Sequence, residues 1–200
     1  MQGAPRTSGY YLAQQFGFNG VDVGYTGLQP RPDSRRRQVV HVAFSSFQNG
    51  TTTKHKNCHS GADGSLGVSC ALDIFGDYSH FYNISVKNTG GTTWRGTLID
   101  TVTGKSDVIG EWMLPSSAGK MLNGRVSFFE YYNWSDGTTN HDCSKQPFNS
   151  QVFFATSPQR QKELVVAKSP SFTRPANASK KLNLKATQTG KGYQIQAGFK

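Results

Sequence analysis

The stretch TWRGTLIDTVTGKSDVIGEWML (93–114) decides the architecture. Trp94, Gly96 and Leu98 alternate with Arg95, Thr97 and Ile99, the two-residue period of a strand whose faces meet different surroundings. Asp100-Thr-Val-Thr-Gly-Lys105 interrupts the pattern. Val108, Gly110, Trp112 and Leu114 then alternate with Ile109, Glu111 and Met113. Two alternating runs joined by a short Thr/Gly connection predict an antiparallel hairpin.

The same period recurs on either side. Gln38, Val40, Val42, Phe44 and Ser46 share one face against Arg37, Val39, His41, Ala43 and Ser45, and Tyr82, Ile84 and Val86 oppose Asn83, Ser85 and Lys87. Val126 to Trp134 is the most aromatic strand, and Gln151 to Ala155 a further short one. Strands joined by polar turns, with no helix between them, predict an all-β antiparallel β-sandwich or jelly roll. The one helix candidate, Pro158 to Lys168, is followed by SPSFTRP (169–175), whose prolines each remove a backbone donor. A boundary is therefore set near residue 156. Residues 1–156 form the sandwich, and 157–200 a helix or linker with a basic tail. That tail either stays flexible or closes a hairpin, with Leu182 and Leu184 against Tyr193 and Ile195.

Composition agrees. Charged residues are 17% of the chain, too few for a helical bundle, and aromatics at 12% supply burial that sparse aliphatics do not. No run of 18 apolar residues suits a spanning helix. The net charge of +10 favours anionic partners. Arg31, Arg35, Arg36 and Arg37 form one cluster, and Lys180, Lys181, Lys185, Lys191 and Lys200 another near the C-terminus. Both read as solvated surface and basic tail, and no specific nucleic-acid contact is expected.

Cys58 and Cys70 lie 12 residues apart across a Gly-rich loop that one disulfide would close. Cys143 is either a free thiol or a partner for one of them. Asn-x-Ser/Thr sequons at Asn49, Asn83, Asn133 and Asn177 suit an extracellular chain. Met1-Gln-Gly-Ala-Pro5 has neither a basic nor an apolar leader region. Such a start fits either a cytosolic protein or a processed form, and the favoured expectation is a secreted chain whose signal peptide has been removed.

The segments YTGLQ (25–29), NCHSGADGSLGVSC (57–70), TTWRGTLIDTVTGK (92–105), IGEWMLP (109–115) and FFEYYNW (128–134) taken together resemble the domain-of-unknown-function family 3472. The resemblance covers about residues 9–155. It implies an exported, jelly-roll-like all-β domain often found beside carbohydrate-active modules. It brings no catalytic residues, and the tail and Cys143 lie outside it.

Several constellations carry candidate chemistry. His55, Cys58, His59, Asp63 and Cys70 crowd one loop, with His141 and Cys143 elsewhere. Thiolate and imidazole ligands suit zinc, but the spacing matches no zinc finger and a disulfide would remove two ligands. No metal or other cofactor is expected. Hydrolysis of a glycoside needs two carboxylates flanking the scissile bond. Glu130 and Glu111 are the two strand carboxylates available, Glu130 sharing its face with Phe128, Tyr132 and Trp134, and Glu111 with Ile109 and Met113. A ribonuclease set of His41, Glu130, Arg125 and His141 is too scattered to carry weight.

Aromatics among polar neighbours are the stronger lead, since sugar rings pack flat C–H faces on Tyr and Trp. Tyr131, Tyr132, Asn133, Trp134, Asp136 and Asn140 place that chemistry at a strand end and its loop. Trp94 with Arg95 is a second candidate. The competing reading puts these rings in the core. Tyr10, Tyr11, Phe16 and Phe18 form an N-terminal aromatic group with the same core-or-surface alternatives, a membrane-touching patch being a further one. The leading expectation is a monomeric, lectin-like protein that binds polysaccharide or cell-surface glycan without turnover. The rivals are a polysaccharide-degrading enzyme using Glu130 and Glu111, and an effector or toxin whose basic tail, residues 176–200, meets anionic membranes.

Overall fold

A computed structural model describes residues 1–134, 143–153, 183–189 and 192–199. The helix candidate at 158–168 and the proline-rich stretch after it lie outside the described residues. The strands, in chain order, begin with β1 (Tyr10–Phe18), β2 (Val21–Pro30), β3 (Val39–Ser46), β4 (Cys58–Ser60) and β5 (Val68–Phe75). There follow β6 (Tyr82–Gly90), β7 (Thr93–Asp100), β8 (Ser106–Met113) and β9 (Met121–Tyr131), then β10 (Asn149–Phe153), β11 (Lys185–Thr189) and β12 (Gly192–Ala197). Two single 3-10 turns, Tyr132–Trp134 and Cys143–Lys145, complete the described regular structure.

Three antiparallel sheets result. The largest has the order β4-β5-β3-β2-β1-β9, the second β6-β7-β8 and the third β10-β12-β11. The hairpin read from 93–114 is present: β7 and β8 pair across a turn that Asp100 organises by accepting from the amides of Val102 (2.9 Å) and Thr103 (3.2 Å). β1 and β2, by contrast, do not alternate cleanly. Tyr10, Tyr11, Leu12 and Ala13 are all buried, so both faces of β1 are apolar there. Their signal is the two-residue connection Asn19-Gly20, with Gly20 at φ +77°, a backbone state glycine adopts without strain.

The second sheet lies face to face on the first, which makes the core a two-layer sandwich. Phe16, Phe18, Val42, Phe44, Val68 and Cys70 meet Leu98, Ile109, Trp112 and Leu114. Trp112 stacks on Phe44 with ring centroids 4.6 Å apart. Two glycines permit this approach: a Cβ on Gly96 would stand 2.7 Å from the Phe44 ring, and one on Gly110 2.5 Å from each sulfur of Cys58 and Cys70. Those cysteines are directly opposite across β4 and β5 and are joined by a disulfide.

Two expectations need correction. Ile109 does not share the face of Glu111 and Met113. The pairing slips between Gly96 and Thr97, so Ile109 is an extra residue at a β-bulge and is fully buried, while Val108 turns outward. The N-terminal aromatics are not a membrane-touching patch: Tyr10, Phe16 and Phe18 are core residues, and Tyr11 is buried edge-on against Phe128.

The third sheet joins segments from either side of residue 156. β10 pairs with β12, and β12 closes a hairpin with β11 in which Ala186 faces Ile195 and Gln188 faces Tyr193. The hairpin partners of Tyr193 and Ile195 are thus not Leu182 and Leu184. This sheet is tied to the sandwich where the Ser150 amide donates to Gly3 O (2.9 Å) and the Tyr10 hydroxyl donates to Pro147 O (2.5 Å).

Candidate functional site

Alternation along β7 sends Trp94 and Arg95 to opposite faces. Trp94, flanked by Asn88 on β6 and Trp112 on β8, points inward and sets its ring edge-on against Phe18, with centroids 4.8 Å apart. It is only half-buried. The rest of its ring lines an open cleft of about 380 Å³ with Asn88, Thr92, Ala118, Lys120 and Met121. This volume falls within the roughly 300–1,000 Å³ of small-ligand sites.

The cleft lies between the β6–β7 turn and the segment leading into β9. Both walls are fixed by hydrogen bonds. Asn88 Nδ2 donates to the carbonyls of Gly91 (2.9 Å) and Thr93 (3.0 Å), and its Oδ1 accepts from the Gly90 amide (3.2 Å). The Thr92 hydroxyl donates to Leu114 O (2.7 Å). On the other wall the Gly119 amide donates to Asn19 O (2.8 Å) and the Asn19 amide to Lys120 O (3.0 Å). The site is therefore an aromatic platform in a preformed frame, with the exposed Lys120 at its margin.

The other predicted residues separate. Arg95 is on the outer face of the second sheet, where its Nε donates to Glu111 Oε2 (2.8 Å), which also accepts from the Thr89 hydroxyl (3.3 Å). Glu130 faces Tyr11 on β1, on the face of the large sheet turned away from Phe16 and Phe44. Glu111 and Glu130 thus stand on opposite outer faces of the sandwich. Packed sheets lie about 10 Å apart, and the carboxyls of a glycosidase pair are separated by only about 5–9.5 Å. The two carboxylates cannot flank one bond.

At the end of β9 the alternation gives way to a 3-10 turn, so Tyr132 does not continue the Glu130 face. Tyr131 packs on Tyr10 (centroids 4.8 Å), and the Tyr132 hydroxyl accepts from Arg31 Nη1 (2.9 Å). Both are half-buried, and Asn133 is exposed. Trp134 closes the turn with its backbone, while its side chain, Asp136, Asn140 and His141 lie outside the described part. Cys143 likewise contributes only the backbone of the second 3-10 turn.

One polar pair went unremarked in the sequence. His41 Nδ1 donates to Asp73 Oδ1 (2.6 Å) across β3 and β5, on the same outer face as Glu130. Burial, with the Arg31 charge adding to it, pulls the His41 pKa below its ordinary value despite Asp73. Two strands, β2 and β1, lie between those of His41 and Glu130, three spacings or about 14 Å at ordinary strand separation, so the two do not act on one atom. Around the Cys58 loop, the disulfide takes both thiolates from the zinc alternative. Among the described residues no group of three His, Cys, Asp or Glu side chains converges.

A comparison with protein-family models gives no match, and no curated protein is significantly similar to this chain. Lys120, Asn88 and Met121 were missed by sequence reasoning. Their only sequence signal is the Gly90-Gly91 turn that folds Asn88 back on Trp94.

Proposed function

We propose that this protein is a secreted, glycan-binding β-sandwich that acts without turnover, and that the cleft at Trp94 is its saccharide site. The observation that carries the proposal is the partly buried Trp94, set edge-on against Phe18 and lining a hydrogen-bonded cleft of about 380 Å³. An indole at the wall of a concave site is the partner that a sugar's C–H face requires. The motif resemblance to family 3472 supports the same reading, including export from the cell. The antiparallel sandwich supplies the rigid scaffold on which loop-end binding sites are built.

The test is titration of a panel of soluble oligosaccharides, read by tryptophan fluorescence and calorimetry. A binding glycan is expected to lose at least about tenfold in affinity, about 1.4 kcal/mol, on Trp94→Ala. Binding that is indifferent to Trp94→Ala, or no binding by the wild type across the panel, rejects the site.

A further inference from the structure

We infer that the Trp94 cleft selects acidic saccharides, seating a carboxylate or sulfate on Lys120 while an apolar ring face lies on Trp94. The inference rests on the reading of this cleft as a glycan site and names its ligand class. It follows from which polar groups of the lining remain uncommitted.

A site for neutral sugars needs several free donors and acceptors converging on the hydroxyls. Here the Asn88 amide gives both of its protons to the carbonyls of Gly91 and Thr93 and accepts from the Gly90 amide. The Thr92 hydroxyl spends its proton on Leu114 O. Ala118, Gly119 and Met121 offer no polar side chain. That leaves the Lys120 ammonium, a three-proton donor with a full charge. It is exposed and makes no ion pair with any described residue. Among the described residues it is also the single ionisable side chain lining the cleft, and none of them brings a carboxylate into that lining. A neutral sugar would gain the indole face but find few hydrogen-bond partners, whereas an anionic one gains both.

Lys120 is also held where it can serve. Its carbonyl accepts from the Asn19 amide, and the Gly119 amide before it donates to Asn19 O, so the backbone carrying this ammonium is pinned to the β1–β2 turn. The overall charge of +10 adds long-range attraction for the same ligands, but that attraction is not selective and must be separated from the cleft in any test.

The experiment uses the full chain and three probes: an oligogalacturonate, the same oligosaccharide with its carboxyls reduced to hydroxymethyl groups, and a sulfated galactan oligosaccharide of equal length. Affinities are measured at physiological salt for the wild type, Lys120→Gln and Trp94→Phe, with circular dichroism confirming each fold. One or both anionic probes should bind about two- to fivefold tighter than the neutral chain, the upper span of an exposed ion pair. Lys120→Gln should bring the affinity for the anionic probes down to that for the neutral chain, and Trp94→Phe should weaken every probe. Preference for the carboxylate or the sulfate probe identifies which anion the site takes.

A neutral chain that binds as tightly as the anionic ones and still responds to Trp94→Phe overturns the acidic selectivity while leaving the glycan site standing. Anionic binding that ignores both substitutions is general charge attraction and overturns the inference together with the site. Absence of binding by all three probes does the same.

Discussion

Gly110 offers the sharpest test of how the two layers meet. A methyl group at this position would lie 2.4 Å from Cys70 Cβ and 2.5 Å from each disulfide sulfur. Ordinary carbon contacts need about 3.5–4.0 Å, so Gly110→Ala must push the smaller sheet outward or displace β4 by about 1 Å. Overpacking on that scale costs about 1–3 kcal/mol. For a chain of this length it lowers the thermal midpoint by about 2–12 °C. The same substitution should behave differently in a Cys58→Ala/Cys70→Ala background. That background is itself weaker by roughly 3 kcal/mol, from the lost closure of its 12-residue loop, and it removes both sulfur contacts while the contact with the β-carbon of residue 70 persists. There, exchanging the glycine for alanine should still destabilise, but by about 1 kcal/mol less than in the wild type. Urea denaturation of the four proteins closes the cycle, with a coupling of at least about 1 kcal/mol expected. If Gly110→Ala costs nothing in the wild type, or costs the same in both backgrounds, β8 does not pack on the disulfide and the layer assignment fails.

Two pH dependences follow from the same structure. Burial works against ionisation of Asp100, but donors at His80 Nδ1, the Val102 amide and the Thr103 amide outweigh it and hold the carboxyl at about 2. Its folded value lies below the ordinary 3.8. Its contribution to stability is therefore complete above about pH 4 and is lost as the pH falls toward 2. Asp100→Asn should flatten the acid limb of the stability curve between those values, and an unchanged limb refutes the assignment. His41 titrates in the same sense. Burial and the Arg31 charge lower its folded pKa beneath 6.5, so its contribution is present above pH 6.5 and declines as protons bind below it. An NMR titration should place the His41 midpoint under 6.5, and a midpoint at or above that value contradicts the burial argument.

What was legible in the sequence depended on whether the two faces of a strand differ. β3 and β7 alternate because one face is core and the other is more open, and their inward sets, Val40, Val42 and Phe44 or Gly96 and Leu98, were readable from spacing alone. β1 was not, because burial on both faces erases the period at Tyr10 to Ala13. β8 misled at one residue: a bulge adds Ile109 without any local marker and reverses the parity of what precedes it. The aromatic content of 128–134 drew attention to a strand end where Tyr131 packs its ring on Tyr10 and the Tyr132 hydroxyl accepts from Arg31. Trp94 was in view, but its pairing with Arg95 assumed that sequence neighbours act together. On a strand they face apart.

The half-exposure of Trp94 is itself a consequence of the architecture. Six strands at about 4.8 Å spacing span roughly 24 Å from first axis to last, and three span roughly 10 Å, so the smaller sheet cannot roof the whole inner face of the larger. Within the smaller sheet β8 meets β3, β4 and β5, the half of the large sheet that carries the disulfide. Trp94 reaches the other half through Phe18 on β1. The chain covers that margin not with a strand but with the connection through Ala118 to Met121, and a connection does not lie flush against a sheet. Phe18 receives one edge of the indole and leaves the remainder to the cleft. Because the frame is set by the backbone hydrogen bonds of Asn19, the side-chain amide of Asn88 and the Thr92 hydroxyl on Leu114 O rather than by the ring, Trp94→Phe should leave the cleft walls in place. By the same reasoning Lys120, whose backbone is fixed and whose ammonium makes no ion pair with a described residue, is a position at which substitution should leave the fold undisturbed.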